Sequence, residues 1–320
     1  MQSQQAERLD GGKARHVALP VESRAIRAWA RRWGINAGLL FILPALLIYA
    51  AVVLYPLLSM FYLSLFSWDG LSPDKSYIGL ANFQQLAADP LFFVTLRNAG
   101  IWIVFDVGLS LVIGLALALL VNQRLRGTMF FRTLYFLPTT VSVIVVGQIW
   151  GWIYQGDVGA LNNYLGLLGL GSLRQAWLGD PNLAIYSAVA VALWSGVGFQ
   201  MMVYLAGLQT IPGEILEAAQ VDGATSWQRL RTVTLPLLLP QTVTLTILGI
   251  IGTLSQFTLI YVLTKGGPAY QSELPSLFVF DQAFTLSQQG YASAIAVVIF
   301  AISLIVTVIQ LRLYRRYQGY

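Results

Sequence analysis

The stretch Glu217–Pro236, EAAQVDGATSWQRLRTVTLP, lies within a polar island (residues 209–240) between two long apolar runs. Pro212 stands where a helix begins, at a position where its missing N–H costs nothing. Glu214 and Glu217 follow in the first turns, where carboxylates complement the helix dipole by ~0.3–1 kcal/mol each. Ala218 and Ala219 leave a smooth face that another protein surface can approach closely. Asp222-Gly223-Ala224 provides a break, because glycine tolerates left-handed backbone. Ser226 is read as the cap of a second short helix that carries Trp227, Leu230 and Val233 at helical spacing. Leu235-Pro236 is read as its end. The stretch predicts two short helices hinged at Gly223, a shape suited to mechanical contact.

The flanking runs set the fold class. Of the 320 residues 57% are hydrophobic and only 10% are charged, whereas a soluble domain carries roughly a quarter charged residues. A helix needs about 20 apolar residues to cross ~30 Å of hydrocarbon. Six such spans are expected at about 36–63, 98–121, 133–153, 183–208, 241–263 and 290–312. They must be helices, since backbone groups in hydrocarbon have to be satisfied within the segment. The first run contains Pro44 and Pro56 but no polar turn, so it is read as one tilted or kinked span. The chain is an all-α polytopic membrane protein. Residues 1–35 form a basic tail that does not read as a cleaved signal peptide, and residues 313–320 form a short C-terminal tail.

Charge gives the direction. Of the 19 Lys and Arg residues, seven fall in 1–35, three in 122–132, two in 209–240 and three in 312–320. Lys75, Arg97, Arg174 and Lys265 alone fall in the other loops. Positive residues favour the cytoplasm, which puts both termini and the 209–240 loop inside. Arg24, Arg27, Arg31 and Arg32 serve as a topology anchor or as an anionic-lipid or partner site. Trp150, Trp152 and Tyr154, at the other end of their span, fit an interfacial belt.

Several chemistries are excluded. There are no cysteines, so disulfides, thiolate catalysis and Cys-based zinc sites are out. The single histidine, His16, lies in the polar tail and is read as solvated. Gly12-Lys13 is followed by Ala14 and lacks the upstream glycine of a phosphate-binding loop. Neither His-Glu-x-x-His nor Gly-x-Ser-x-Gly occurs. Any ATP hydrolysis would have to come from another polypeptide, no segment is large enough to fold as a soluble receptor, and no catalytic or metal residue is expected.

The pattern Glu217-Ala218-Ala219, Asp222-Gly223-Ala224, Trp227 and Leu235-Pro236 resembles the EAA signature of ABC importer permeases. Further strings resemble the sugar-type branch, similar to maltose and glycerol-3-phosphate permease subunits: Tyr77-Ile-Gly-Leu-Ala-Asn-Phe83, Phe131-Arg-Thr-Leu-Tyr-Phe-Leu-Pro138, Trp177-Leu-Gly-Asp-Pro181, Ala206-Gly-Leu-Gln-Thr-Ile-Pro212 and Leu263-Thr-Lys-Gly-Gly-Pro268. The resemblance covers about residues 36–312 and lacks only the large periplasmic insertion of some maltose-type members. It implies a type I (MetI-like) permease fold in a bacterial or archaeal inner membrane. It implies a second homologous permease, an ATPase dimer that uses ATP and Mg, and an extracytoplasmic solute-binding protein. No cofactor is expected on this chain itself. The ATPase would grip Glu217, Ala218, Ala219, Asp222, Gly223, Ala224, Trp227, Leu235 and Pro236.

By motif position the resemblance places the solute pathway at Thr139, Trp194, Gly196, Phe199, Ser255 and Gln256. Aromatic faces stack on sugar C–H surfaces and amides bond hydroxyls. The same residues also serve as ordinary helix–helix contacts. Asp106, the only carboxylate inside a span, belongs to a polar pathway or to a structural pair. The competing reading is a stand-alone secondary transporter or channel for small polar solutes. It calls for buried charged pairs or internal repeats, and only Asp106 points that way. An intramembrane enzyme would need a nucleophile–base or metal constellation that is missing.

Overall fold

The structure, a computed structural model, describes residues 37–123 and 126–318. The basic tail with His16, Gly12-Lys13 and the Arg24–Arg32 cluster lies outside the described residues. Contacts divide the chain into two units, Met1–Ser59 and Met60–Tyr320.

The described part of the first unit is apolar helix. α1 (Ala37–Tyr49) runs through Pro44 into a π-helical turn at Ala50–Leu54 and then α2 (Tyr55–Leu63), which crosses the unit boundary. Pro44 lacks an N–H, yet the helix continues, as proline in membrane helices commonly permits.

The second unit opens with a two-stranded ribbon, β1 (Phe66–Ser67) paired antiparallel to β2 (Ser76–Tyr77). Next come α3 (Ala81–Ala88) and α4 (Pro90–Trp102), the latter capped by Asp89, whose carboxylate accepts from the Leu91 N–H at 2.9 Å. A π-turn joins α4 to α5 (Gly108–Val121). The chain continues through α6 (Thr128–Phe136), α7 (Val143–Ile153), α8 (Ala160–Leu167) and the long α9 (Ala184–Thr210). α10 (Gly213–Val221) and α11 (Ser226–Arg229) make up the polar island. α12 (Leu239–Leu254), α13 (Thr258–Leu263), α14 (Pro275–Phe280) and α15 (Gln289–Gln318) complete the unit.

α9 is the spine. Its first turns bury Ile185, Ala188, Val189 and Val191 with Trp102, Val146, Leu254, Leu259 and Leu277. Its last turns bury Met201, Tyr204, Leu205 and Leu208 with Ala118, Val121, Leu238 and Leu245. A smaller cluster of Leu86, Phe92, Phe278, Tyr291 and Ile295 closes the end opposite α10.

The crossings differ from the sequence expectation in three ways. Four helices are long and apolar enough to span a membrane, and two bent pairs bring the number to six if each pair is one span. The second starts at Pro90 rather than near 98, because proline is favoured at a helix start and Phe92 and Thr95 pack inward before the apolar run begins. The stretch expected as one span over 133–153 is two helices bent by 95° at the Pro138–Ser142 segment. The expected span 241–263 also divides, with α12 ending at Leu254 and α13 beginning at Thr258. The two broken segments meet: a Cβ at Gly147 of α7 would lie 2.7 Å from Val262 Cγ1 of α13. Broken helices at membrane depth expose backbone polar groups where they border a cavity.

Three buried asparagines hold the loops at the end away from α10. Asn82 donates to the Ser64 and Phe66 carbonyls at 2.8 and 3.0 Å. Asn98 donates to those of Tyr270 and Glu273 at 3.0 and 2.9 Å. Asn162 donates to those of Gly156 and Gln175, each at 2.8 Å, and accepts from the Trp177 indole at 2.9 Å. Asn98 fixes a loop in which Lys265, Ala269 and Tyr270 all have left-handed backbone, an arrangement that persists only when its surroundings over-determine it. Asn98→Ala should therefore lower the unfolding midpoint, since each stranded carbonyl costs about 1–3 kcal/mol. A melting curve of the purified protein that matches wild type would refute this role.

The same loop buries the Glu273 side chain, whose Oε1 has no hydrogen-bond partner. Burial, together with the charge of Asp281, raises this carboxyl from 4.5 to about 8. The folded state thus favours the protonated acid. Its contribution to stability is full below pH 4.5 and is lost as pH rises through about 8. Thermal stability should fall across that window, and Glu273→Gln should flatten the fall. A slope unchanged in the variant would show that other groups set it.

Candidate functional site

The polar island forms a knuckle at one end of the second unit. α10 begins after Pro212 with Glu214 in its first turn. At its end the Ala224 N–H bonds back to the Ala219 carbonyl at 3.0 Å and the Gly223 N–H to Gln220 at 3.1 Å. These two bonds are the Schellman arrangement, which requires left-handed backbone at the residue between, and Gly223 supplies it with φ +81°. The second helix is capped by Thr225, not Ser226. Thr225 Oγ1 accepts from the Gln228 N–H at 3.3 Å while Gln228 Oε1 accepts from the Thr225 N–H at 2.7 Å. Threonine followed three residues later by glutamine is a capping-box signal that was open to sequence reading. Ser226 Oγ instead accepts from Arg229, whose guanidinium also reaches Gln220 Oε1 at 3.2 Å and so clasps α11 to α10.

Leu235-Pro236 does not end the second helix. A π-turn at Leu230–Thr234 leads into a helical turn at Leu235–Leu237, and the chain bends by 62° where Leu239-Pro240 opens α12. Pro236 falls in the first turn of a helical segment, where its missing N–H is tolerated.

The surface of the knuckle is unusual for a polar loop. Val221 is 87% exposed, Trp227 67% and Ile215 42%. Glu217, Ala218, Asp222 and Gly223 are exposed beside them, Ala219 and Ala224 half-buried. Among the described residues Glu217 and Asp222 form no ion pair. An exposed apolar set rimmed by free carboxylates marks a protein-contact surface. Leu235 and Pro236 are offset from it and line a groove of about 470 Å³ with Leu239, Val243 and Leu313.

The pathway residues have different immediate partners. Thr139, in the break of the third crossing, donates to the Ser195 carbonyl at 2.9 Å. The break is pressed against α9 at Gly198, where a Cβ would lie 2.3 Å from the Tyr135 carbonyl oxygen and 2.9 Å from Phe136 Cα. Trp194 and Phe199 are exposed, and Trp194 meets Trp150 edge-on with ring centres 5.5 Å apart. Gly196 faces open space. Thr139, Trp194 and Gly196 thus lie along one stretch of α9 and the break beside it. The Ser255 hydroxyl donates to the Ile251 carbonyl at 2.8 Å, and the residue lines a groove with Phe300, Ser303 and Leu304 of α15. Gln256, in the second break, accepts from Ser276 Oγ through its backbone carbonyl.

Asp106 accepts from the Trp102 indole, one turn earlier, at 3.1 Å. The aromatic belt is reduced to Trp152, because Trp150 and Tyr154 pack inward against Trp194 and Trp177. Among the described residues no group of three or more His, Cys, Asp or Glu side chains gathers.

Comparison with known proteins gives the family. Residues 110–319 match the family described as binding-protein-dependent transport system inner membrane component. The chain is 36% identical over 278 residues to a probable ABC transporter permease protein, YurN, of Bacillus subtilis, covering 86% of this chain and 95% of the relative. It is 34% identical to the trehalose/maltose transport system permease protein MalF of Thermococcus litoralis, covering 87% and 93%. In structure it resembles a chain of a bacterial alginate ABC transporter solved with an alginate pentasaccharide-bound periplasmic protein. The TM-score is 0.78 at 21% identity, with 92% of this chain and 97% of that one covered.

Proposed function

Since the chain belongs to the family of binding-protein-dependent transport system inner membrane components, we propose that it forms half of the pore of an ATP-binding-cassette importer for a carbohydrate or related polyol. The observation that carries the coupling role is the clasped knuckle, whose left-handed Gly223 projects Val221 and Trp227 from an otherwise polar loop. A separate ATPase dimer, the user of ATP and Mg, grips α10 and α11. Its closure pushes the knuckle as one piece, because the Arg229–Gln220 bond and the two bonds at Gly223 resist bending within it. The force passes through α12 and the end of α9, which share the Leu238–Leu245–Leu208 core.

A second permease of the same kind completes the pore, and an extracytoplasmic binding protein delivers the solute to the opposite face. The distribution of Lys and Arg supports cytoplasmic termini in a bacterial or archaeal inner membrane. Sugar cargo is supported by the relative named for trehalose and maltose. The exposed Trp194 and Phe199, with the open backbone at Gly196, make a suitable surface for sugar rings. Nothing in the chain's kinship supports a stand-alone transporter.

Co-expression with candidate partners tests the assignment. A stable complex with a second permease and an ATPase is expected, with ATPase activity stimulated by a solute-loaded binding protein. Solute movement by the isolated chain under an ion gradient would overturn it.

A further inference from the structure

At the end of the second unit away from the knuckle, α4, the Pro181-Asn182 turn before α9 and the loop after α13 border an open pocket of about 210 Å³, with Arg97, Asn182 and Tyr186 exposed at its surface. Arg97, Asn182, Tyr186 and Gln271 line it over a floor of Ile101 and Ile185. Its one cation is not neutralised from within. Arg97 donates through Nη2 to Asn98 Oδ1 at 3.2 Å and to Gln271 Oε1, both uncharged acceptors. Among the described residues no carboxylate forms an ion pair with this guanidinium, and its Nε and Nη1 have no partner. Asp180, the acid closest in sequence to the rim, accepts from the Asn182 N–H at 2.8 Å and the Asn182 amide at 3.3 Å instead.

The remaining groups suit a sugar. Two amides offer donors and acceptors to hydroxyls, and the Tyr186 ring, 42% exposed and held at right angles to Phe105 with ring centres 5.3 Å apart, adds an aromatic surface. With Nη2 engaged by Asn98 and Gln271, the Nε and Nη1 hydrogens of this uncompensated cation can each donate to a carboxylate oxygen, a charge-assisted bond about twice as strong as one to a neutral hydroxyl. The pocket also leads onward. Tyr186, Ala190 and Trp194 are exposed along α9, so the pocket opens about 12 Å along the helix from the aromatic pathway residue.

We propose that this pocket is an extracytoplasmic entry subsite that receives the carboxylate of an acidic sugar, with Arg97 holding the anion. The proposal rests on reading the chain as a carbohydrate permease, and it narrows the cargo to sugars that bear an oxyanion.

The absence of native cysteine makes a direct test possible. Asn182→Cys places a single thiol on the rim in the assembled transporter, reconstituted in nanodiscs with cysteine-free partners. With Arg97 present, the anionic sulfonatoethyl methanethiosulfonate should label this thiol faster than in the Arg97→Gln background by about threefold, the effect of one elementary charge at side-chain distance in water. The cationic trimethylammonioethyl reagent should show the opposite change. D-Glucuronate should slow labelling where D-glucose at the same concentration does not, and Arg97→Gln should abolish that protection.

Equal protection by glucuronate and glucose, or protection that survives Arg97→Gln, would overturn the subsite. Protection only by the soluble binding protein would also overturn it and make the rim a protein contact. If binding-protein stimulation of the ATPase is intact while protection fails, the subsite falls and the permease assignment stands. If no complex forms at all, both fall.

Discussion

Gly223→Val is expected to abolish solute uptake while leaving membrane insertion and expression near wild type. There is open space around Gly223, so the cause is not a clash. It is the backbone, at φ +81°. A left-handed conformation costs a side-chain-bearing residue about 1–2 kcal/mol, and β-branching makes it an outlier there. The chain escapes that strain by leaving the conformation, which breaks the bonds from Gly223 to Gln220 and from Ala224 to Ala219. α11 then loses its fixed angle to α10, and the apolar knob no longer meets its partner. Binding-protein-stimulated ATPase activity in reconstituted complexes is the measurement. Gly223→Asn, which tolerates left-handed backbone, should retain much of it. Full stimulation in the valine variant would show that the hinge geometry is not needed.

Trp227→Ala is expected to weaken association with the ATPase by roughly 30-fold or more. Buried tryptophans at interface centres are worth at least ~2 kcal/mol on truncation. In the isolated chain Trp227 is 67% exposed, so its removal should leave the fold and the unfolding midpoint unchanged. Loss of affinity with unchanged stability is what separates a contact residue from a structural one. Titration of labelled ATPase onto the permease pair decides the matter, and equal affinity for the two forms would move the contact elsewhere on the loop.

The helical class, the apolar runs and the two-helix island with its glycine hinge were legible because each follows from a short-range rule. Twenty apolar residues must be helical in hydrocarbon, and Asp-Gly after Ala-Ala breaks a helix. The detail of the island was harder. Thr225 and Ser226 are both competent caps, and only Gln228, three residues after Thr225, discriminates between them. Leu235-Pro236 looked like a stop because proline usually ends helices, but it begins a helical turn after a π-turn, where proline is accommodated. The broken crossings are hidden in the sequence because Pro138–Ser142 and Ser255–Phe257 are polar interruptions of only three to five residues, too short to divide apolar runs that together have the length of one span. What keeps those breaks in place is tertiary: Gly198 against the Tyr135 carbonyl, and Val262 against Gly147. The partners of the pathway residues are hidden for the same reason, because motif position says which helix a residue sits on and not which neighbour it faces. In the sequence Arg97 is simply one cation among four outside the cytoplasmic segments. Its unbalanced charge becomes evident only when Asn182, Tyr186 and Gln271 close around it.

Asn82, Asn98 and Asn162 each tie two backbone carbonyls of neighbouring loops, those held by Asn98 lying more than 170 residues along the chain. The face they secure is accordingly fixed in shape before any association. Ordering a mobile segment on association costs ~1–2 kcal/mol per residue in backbone entropy alone, and a visiting protein that lands on loops already frozen avoids that loss. Docking there should depend on shape and charge from the first encounter, with little folding of the receiving chain.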